Sequence, residues 1–210
     1  DAMEKVPAAE DVVTGDLTSI EETIRVAEQV NSLGSFDAVI HNAGVYRTSS
    51  KEIFNVNTLA PYILTCLIEK PKRLIYMSSG MHMYGHSKLD CFPKGPSDTA
   101  DISRISYSDS KLHDVMLCMA AARRWPEIYS NAVDPGWVPT KMGGSGAPDN
   151  LQKGYETQVW LSVSNDEKAK VTGIYFYHQK EKNFNPEAGD VMLQDRFLEA
   201  CKEITGITFP

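Results

Sequence analysis

The sequence predicts an α/β fold: a doubly wound parallel sheet with helices on both faces. Strand-like and helix-like segments alternate from Val12 to the C-terminus. The strands are apolar runs such as Arg73-Leu-Ile-Tyr-Met77, not alternating ones, as in sheets buried on both sides. The polar and glycine-bearing motifs stand at strand exits: Asp16, Asn42-Ala-Gly44, Ser78-Ser79 and Pro135-Gly136. Open α/β sheets bind ligands at the carboxyl ends of their strands.

Taken in order, Val12–Leu17 reads as a short buried strand with a polar exit. Ser19-Ile-Glu-Glu22 has the capping-box pattern, opening a helix through Ile24, Ala27 and Val30 that stops near Gly34. Phe36–Ile40 is the second strand, ending in His41-Asn-Ala-Gly44, and a helix follows from about Lys51 to Ile68. Arg73–Met77 is the third strand, ending in Ser78-Ser-Gly80. Residues 81–106, rich in Gly, Pro, Ser and Asp, form a long irregular excursion. A helix starts at Tyr107 and ends near Trp125, because Pro126 biases its predecessor out of helix. Ser130–Val133 is a fourth strand, 150–163 a helix and Gly173–Tyr177 a fifth strand. The last helix puts Leu193, Phe197, Cys201 and Ile204 on one face, with Gly206 as its C-cap. Each crossover should be right-handed.

A chain of 210 residues is long enough for one good core, and one domain spanning 1–210 is the expectation. Net charge −7 argues against nucleic acid or an anionic membrane as the main partner. Apolar runs such as Val115–Ala122 are too short to span a bilayer, and Asp1–Lys5 carries no signal-peptide pattern. Cys66, Cys91, Cys118 and Cys201 are widely spaced, which argues against zinc and a disulfide framework and fits a reducing, cytoplasmic compartment. No metal site is expected.

Tyr107 and Lys111 are one helical turn apart, at the head of the run Leu112, Val115, Met116, Met119. A phenol beside a fixed ammonium should have its pKa lowered toward neutral and could exchange a proton with a carbonyl or alcohol oxygen. Alone, the pair reads better as two surface residues that happen to stand four apart.

The ordered motifs resemble the short-chain dehydrogenase/reductase family. They are His41-Asn-Ala-Gly44, Asn55-Val-Asn57, Ser78-Ser79, Tyr107-x-x-x-Lys111 and Pro135-Gly-Trp-Val138-Pro-Thr140. The resemblance runs from about Val12 to Tyr177. Leu59–Thr65, Ser79-Gly-Met-His82 and Pro135–Gly143 carry a narrower likeness to the daunorubicin ketoreductase-like branch.

The resemblance implies a Rossmann-like fold, NADP or NAD as cofactor, and a small carbonyl/alcohol substrate, with reduction the expected direction. It makes Tyr107 the general acid/base and Lys111 the group that lowers its pKa and holds the nicotinamide ribose. Ser79 would hydrogen-bond the substrate oxygen, and Asn57 would hold a water linking Lys111 to solvent. Asp16 and Leu17 would flank the adenine, and Asn42, Ala43 and Gly44 would form the floor near the adenosine ribose. Pro135 and Gly136 belong to the cofactor-binding turn, and Val138 and Thr140 would hold the carboxamide. Homo-oligomers are common among similar proteins.

Each piece also has a purely structural reading. Asn42–Gly44 and Pro135-Gly136 are turns, Ser78-Ser79 a strand-end cap, and Asp16 a helix cap. His82 reads as a residue at the cleft rim, and Trp137 as packing with substrate contact left open. Pro61 stands four residues after Asn57. It either bends the helix and reserves the Asn57 carbonyl for the implied water, or lies in the first turn of a helix starting near Asn57.

Three departures from the family pattern stand out. The opening strand and Gly-rich phosphate loop have no counterpart, so the fold reads as N-terminally incomplete and the NAD/NADP choice is illegible. Gly144-Ser-Gly146 is no substitute, since Asp149 stands where the last glycine belongs and no strand precedes it. A sheet lacking those strands should aggregate, form an unusual oligomer or borrow an edge. The segment from Gly44 to Asn57 is short, and that from Ser79 to Tyr107 is long, as in the retinol dehydrogenase branch. The alternative function is a non-catalytic member acting as a binding protein. A serine hydrolase fails, because Tyr76-Met-Ser-Ser-Gly80 lacks the first glycine of a nucleophile elbow.

Overall fold

The computed structural model describes Val6, residues 8–94 and residues 100–210. The N-terminal stretch Asp1–Lys5 and part of the 81–106 excursion lie outside the described residues. In chain order the elements are α1 (Ile20–Ser32), β1 (Ala38–His41), α2 (Ser50–Phe54), a π-helical turn (Asn55–Leu59), α3 (Ala60–Leu67) and β2 (Arg73–Met77). Then come α4 (Tyr107–Arg124), β3 (Tyr129–Asp134), α5 (Leu151–Val163), β4 (Ile174–Tyr177), β5 (Lys180–Lys182) and α6 (Val191–Thr205).

The sheet order is β1-β2-β3-β4-β5, parallel from β1 to β4. Its register sets His41 beside Tyr76, Met77 beside Val133 and Asp134 beside Tyr177. The exits of β1, β2 and β3 therefore open at one edge. Alternate residues feed two cores. Leu74, Tyr76, Ala132 and Tyr175 join the α3, α4 and α6 side, with Tyr62, Leu112, Val115 and Phe197. Ile75, Met77, Val133 and Phe176 meet α5 through Leu161. Helices on both faces are what the apolar strands require.

The expected strand over Val12–Leu17 does not form; residues 11–16 are irregular and Leu17 lies in a turn. A strand needs a ladder, and among the described residues nothing pairs with the outer edge of β1. Ser19 does cap α1, accepting from Glu22 N at 3.3 Å. The reciprocal half of the box is absent, because the Glu22 carboxylate instead accepts from Asp16 N at 2.8 Å. The single helix expected from Lys51 to Ile68 is interrupted by the π turn. Helix lies on both sides of Pro61, which stands in the first turn of α3 directly after the π turn, so no helix starts near Asn57 but the first-turn position of the proline holds. The antiparallel strand β5 is also unexpected. Its hairpin turns on His178 and Gln179, both at positive φ (48° and 60°) without the Asn-Gly signature.

Candidate active site

Helix α4 carries Tyr107 in its first turn, and its start is fixed on two sides. Ser106 Oγ accepts from Asp109 N, while the buried Asp109 carboxylate accepts from Ser106 N at 2.7 Å. The same carboxylate takes Ser106 Oγ at 2.6 Å, His86 N at 2.8 Å and Lys88 Nζ at 2.8 Å. The excursion after β2 is thus clamped onto the α4 start. It packs so closely there that a Cβ on Gly85 would stand 2.4 Å from Ser108 O.

The Tyr107 hydroxyl lies 3.9 Å from Met142 Sδ, and its ring packs against Tyr46 at 4.7 Å between centroids. Lys111 Nζ lies over the Tyr107 ring, 5.6 Å from its centroid. The buried ammonium donates to Met77 O at 2.8 Å and to Asp114 Oδ2 at 2.8 Å. Burial pulls the Lys111 pKa down, but Asp114 and Tyr107 more than reverse that, for a net rise. Burial pushes the Asp114 carboxyl up to about 6 against the opposing pull of Lys111. For Tyr107 the expected direction is reversed: burial raises the phenol pKa by more than Lys111 lowers it. Burial is the larger effect, and the nearby Asp114, Tyr46 and Asp134 add to it against the opposing charge of Lys111.

Asn57 sits in the π turn, fully enclosed. Its Oδ1 accepts from Val45 N at 2.8 Å, and its Nδ2 donates to Val45 O at 3.0 Å and Ser110 Oγ at 3.1 Å. Ser110 Oγ in turn donates to Tyr107 O at 2.8 Å. The amide therefore ties the loop after β1 to the first turn of α4. Pro61, at the i+4 position, has no N–H to offer the Asn57 carbonyl.

The two serines divide. Ser78 is buried, its hydroxyl donating to Lys111 O at 2.8 Å. Ser79 is half-buried, and its Oγ accepts from Met81 N at 3.2 Å. His82 is not at the rim: it is buried, bonds Ser79 O through Nδ1 at 2.7 Å and accepts Asn185 N at Nε2 at 3.2 Å. Nε2 is an acceptor, so Nδ1 carries the proton, and the ring is a strut under Ser79.

Beyond β3, Gly136 adopts φ +82°, where an L side chain is strained, and a Cβ there would stand 2.6 Å from Asp149 Oδ2. That carboxylate accepts Trp137 N at 2.6 Å. Gly136 N donates to Asp134 Oδ1 at 2.9 Å, and burial raises the pKa of this half-buried carboxyl. Thr140 N donates to Val138 O at 2.8 Å, and Thr140 Oγ1 accepts Gly143 N at 3.2 Å. Trp137 is 59% exposed on the cleft wall and donates through Nε1 to Gly143 O, so the packing role is wrong.

One cleft of about 1310 Å³ brings together Asn42, Ala43, Gly44, Ser79, Tyr107, Lys111, Pro135, Gly136, Val138 and Thr140. Asn57 stands behind it through Val45. A second groove of about 760 Å³, between β1, α1 and α3, contains Leu17 and shares Asn42 and Ala43 with the cleft. Asp16 lines neither. It closes a local turn, accepting from Thr18 N at 2.9 Å and Thr18 Oγ1 at 2.8 Å, and these bonds lower its pKa. Tyr46, Met142, Asp134 and Asp114 were not singled out from sequence. Of these, Asp114 had a readable signal, the i,i+3 spacing from Lys111 on one helix. Among the described residues no cluster of His, Cys, Asp and Glu could hold a metal, and no helix is long and apolar enough to cross a membrane.

No family model matches the chain. Known proteins do. An uncharacterized oxidoreductase of Emericella nidulans is 42% identical, the match covering all of this chain and 84% of that protein. The short-chain dehydrogenase chyC of Penicillium rubens is 41% identical over 98% of this chain and 83% of its own length. A Streptomyces protein described as a daunorubicin C-13 ketoreductase is 28% identical over 95% of this chain and 76% of its own. Among solved structures, a Mycobacterium paratuberculosis protein superposes with TM-score 0.77 at 17% identity, covering 100% of this chain and 81% of that one. NADPH-bound carbonyl reductase from chicken fatty liver gives TM-score 0.62 at 21% identity, covering 87% and 80%. The fold and the strand-exit cleft define a Rossmann-like, doubly wound α/β class. Within it, the chain belongs to the short-chain dehydrogenase/reductase family of oxidoreductases.

Proposed function

We propose that the protein is an NAD(P)(H)-dependent oxidoreductase interconverting a ketone or aldehyde and an alcohol, acting as one domain, with Tyr107 as the proton-transfer residue. The observation that carries this reading is the single cleft in which Tyr107, Lys111 and Ser79 meet the turns after β1 and β3. The track suits an extended dinucleotide. The cleft joins the groove beside Leu17 at Asn42–Ala43. A Cβ on Gly44 would reach 3.5 Å from Asn57 Oδ1 and 3.6 Å from Lys111 Nζ, so a bare glycine keeps the floor open. The nicotinamide and ribose ends have their residues here; a glycine-rich phosphate cradle is not among the described residues.

When bound, the nicotinamide supplies or accepts the hydride. The chain's own part is proton control. Tyr107 Oη holds the proton that the carbonyl oxygen takes in reduction, and its raised pKa keeps that proton in place at neutral pH. Ser79 Oγ, supported from below by His82, hydrogen-bonds the same oxygen. Lys111, anchored by Met77 O and Asp114, presents its remaining N–H to the cleft. Val138 and Thr140 orient the carboxamide. Tyr46, Tyr84, Trp137 and Met142 surround the mouth, so contacts beyond the carbonyl are mainly apolar. The same reading takes the protein as a cytoplasmic enzyme acting on a small molecule and includes a homo-oligomer as its assembly.

The test is fluorescence titration with NADPH and NADH, followed by turnover on a panel of ketones and aldehydes. Saturable dinucleotide binding with turnover is expected. Absence of dinucleotide binding by the folded protein would favour the non-catalytic alternative.

A further inference from the structure

Asp114 follows Lys111 by three residues on α4, so the two side chains leave one helix face. Both are buried, with side chains 4% and 6% exposed. Keeping a carboxylate charged in such a place is costly unless it is paired. Asp114 Oδ2 accepts from the Lys111 ammonium at 2.8 Å. Met77 O holds a second Lys111 N–H. An ammonium has three, so one remains for the cleft that Lys111 lines. Asp114 itself does not line the cleft; it reaches the site through its bond to Lys111 and through its own charge, which acts on Tyr107.

We propose that Asp114 is a positioning residue for proton transfer: it aims the Lys111 ammonium at the site and offsets its charge, so that Tyr107 keeps its proton and the site is set for carbonyl reduction. This rests on the assignment of Tyr107 as the proton-transfer group. A lone ammonium beside the phenol would stabilise the phenolate, the form needed to accept a proton from an alcohol. Paired with Asp114, the ammonium acts on Tyr107 as half of a nearly neutral couple. The groups facing Asp114 are Lys111, Tyr107 and Cys118 on α4 and Tyr76 on β2. Asp134 of β3 and Tyr46 of the loop after β1 also act on Tyr107, both raising its pKa.

Asp114→Asn keeps the volume and an acceptor for Lys111 but removes the charge. The limb of the pH–rate profile set by Tyr107 should move to lower pH by about one unit or more, with the dinucleotide KM little changed. Asp114→Glu should return the limb toward the wild-type position. A folded Asn variant whose limb coincides with wild type overturns the proposal. If the Asn variant does not fold, the wild-type enzyme decides. With 13C-labelled tyrosine, the Tyr107 signal should step as Asp114 ionises near pH 6, and a flat signal overturns the proposal. Tyr107→Phe separates the two levels of the argument. If it retains wild-type turnover, the underlying reading fails. If it is inactive while the Asp114→Asn limb stays put, only the role of Asp114 fails.

Discussion

Replacing Asp109 with alanine should loosen the active site from outside the cleft. The buried carboxylate accepts from Lys88 Nζ, His86 N, Ser106 N and Ser106 Oγ, all within 2.6–2.8 Å. Those bonds hold its pKa below the usual carboxylate range despite burial, which pushes the other way. Lys88 is partly exposed and keeps Arg104 O, so the cost falls on the His86 and Ser106 N–H groups left without an acceptor, about 3–5 kcal/mol together at roughly 1–3 each. In a protein of this size each kcal/mol moves Tm by about 2–4 °C, so Asp109→Ala should lower it by about 6–20 °C. The sign with pH follows. A depressed folded pKa contributes stability above the unfolded value and loses it as pH falls through the folded one. The gap between wild type and variant should therefore be full at neutral pH and narrow below about pH 4. Thermal denaturation followed by circular dichroism at pH 7 and pH 3.5 reads both effects. A variant melting within about 2 °C of wild type at pH 7 would show that the clamp contributes almost nothing.

Lys111→Met removes the positive charge that lowers the Tyr107 pKa, so the pH–rate limb of alcohol oxidation should move to higher pH and activity should partly recover there. An unshifted limb would refute the electrostatic role of Lys111. His41 and His113 are buried, and burial takes each from 6.5 to about 4. The unfolded chain then binds more protons between those values, so stability should fall as pH drops from about 6.5 to 4, by roughly 3 kcal/mol per ring. Urea titrations across that range check this, and His113→Asn should flatten the slope.

Much of this architecture was legible because its signals are local. The apolar run Arg73–Met77 is β2 residue for residue, and Pro126 marks the end of α4. Gly206 closes α6 in the left-handed region, at φ 72°. The strand-exit motifs meet at one edge because parallel register puts all those exits there. What stayed hidden depends on tertiary contacts. Val12–Leu17 has strand-like residues but no neighbouring ladder among the described residues. The π turn at Asn55–Leu59 places Asn57 against the Val45 backbone, and periodicity does not reveal a one-residue insertion. The β5 hairpin turns on non-glycine residues at positive φ. The Tyr107 pKa runs against the expectation because burial, which depends on tertiary packing, outweighs the neighbouring ammonium that the sequence spacing shows.

Proton transfer by Tyr107 is the step on which the proposed reaction depends. Tyr107→Phe removes one hydroxyl and keeps the ring that packs on Tyr46. Turnover of an accepted ketone, measured beside a dinucleotide titration of the same preparation, tests it most directly. A loss of about 10²–10⁴-fold in turnover is expected, with dinucleotide affinity nearly unchanged. A Phe variant that turns over at the wild-type rate would contradict it.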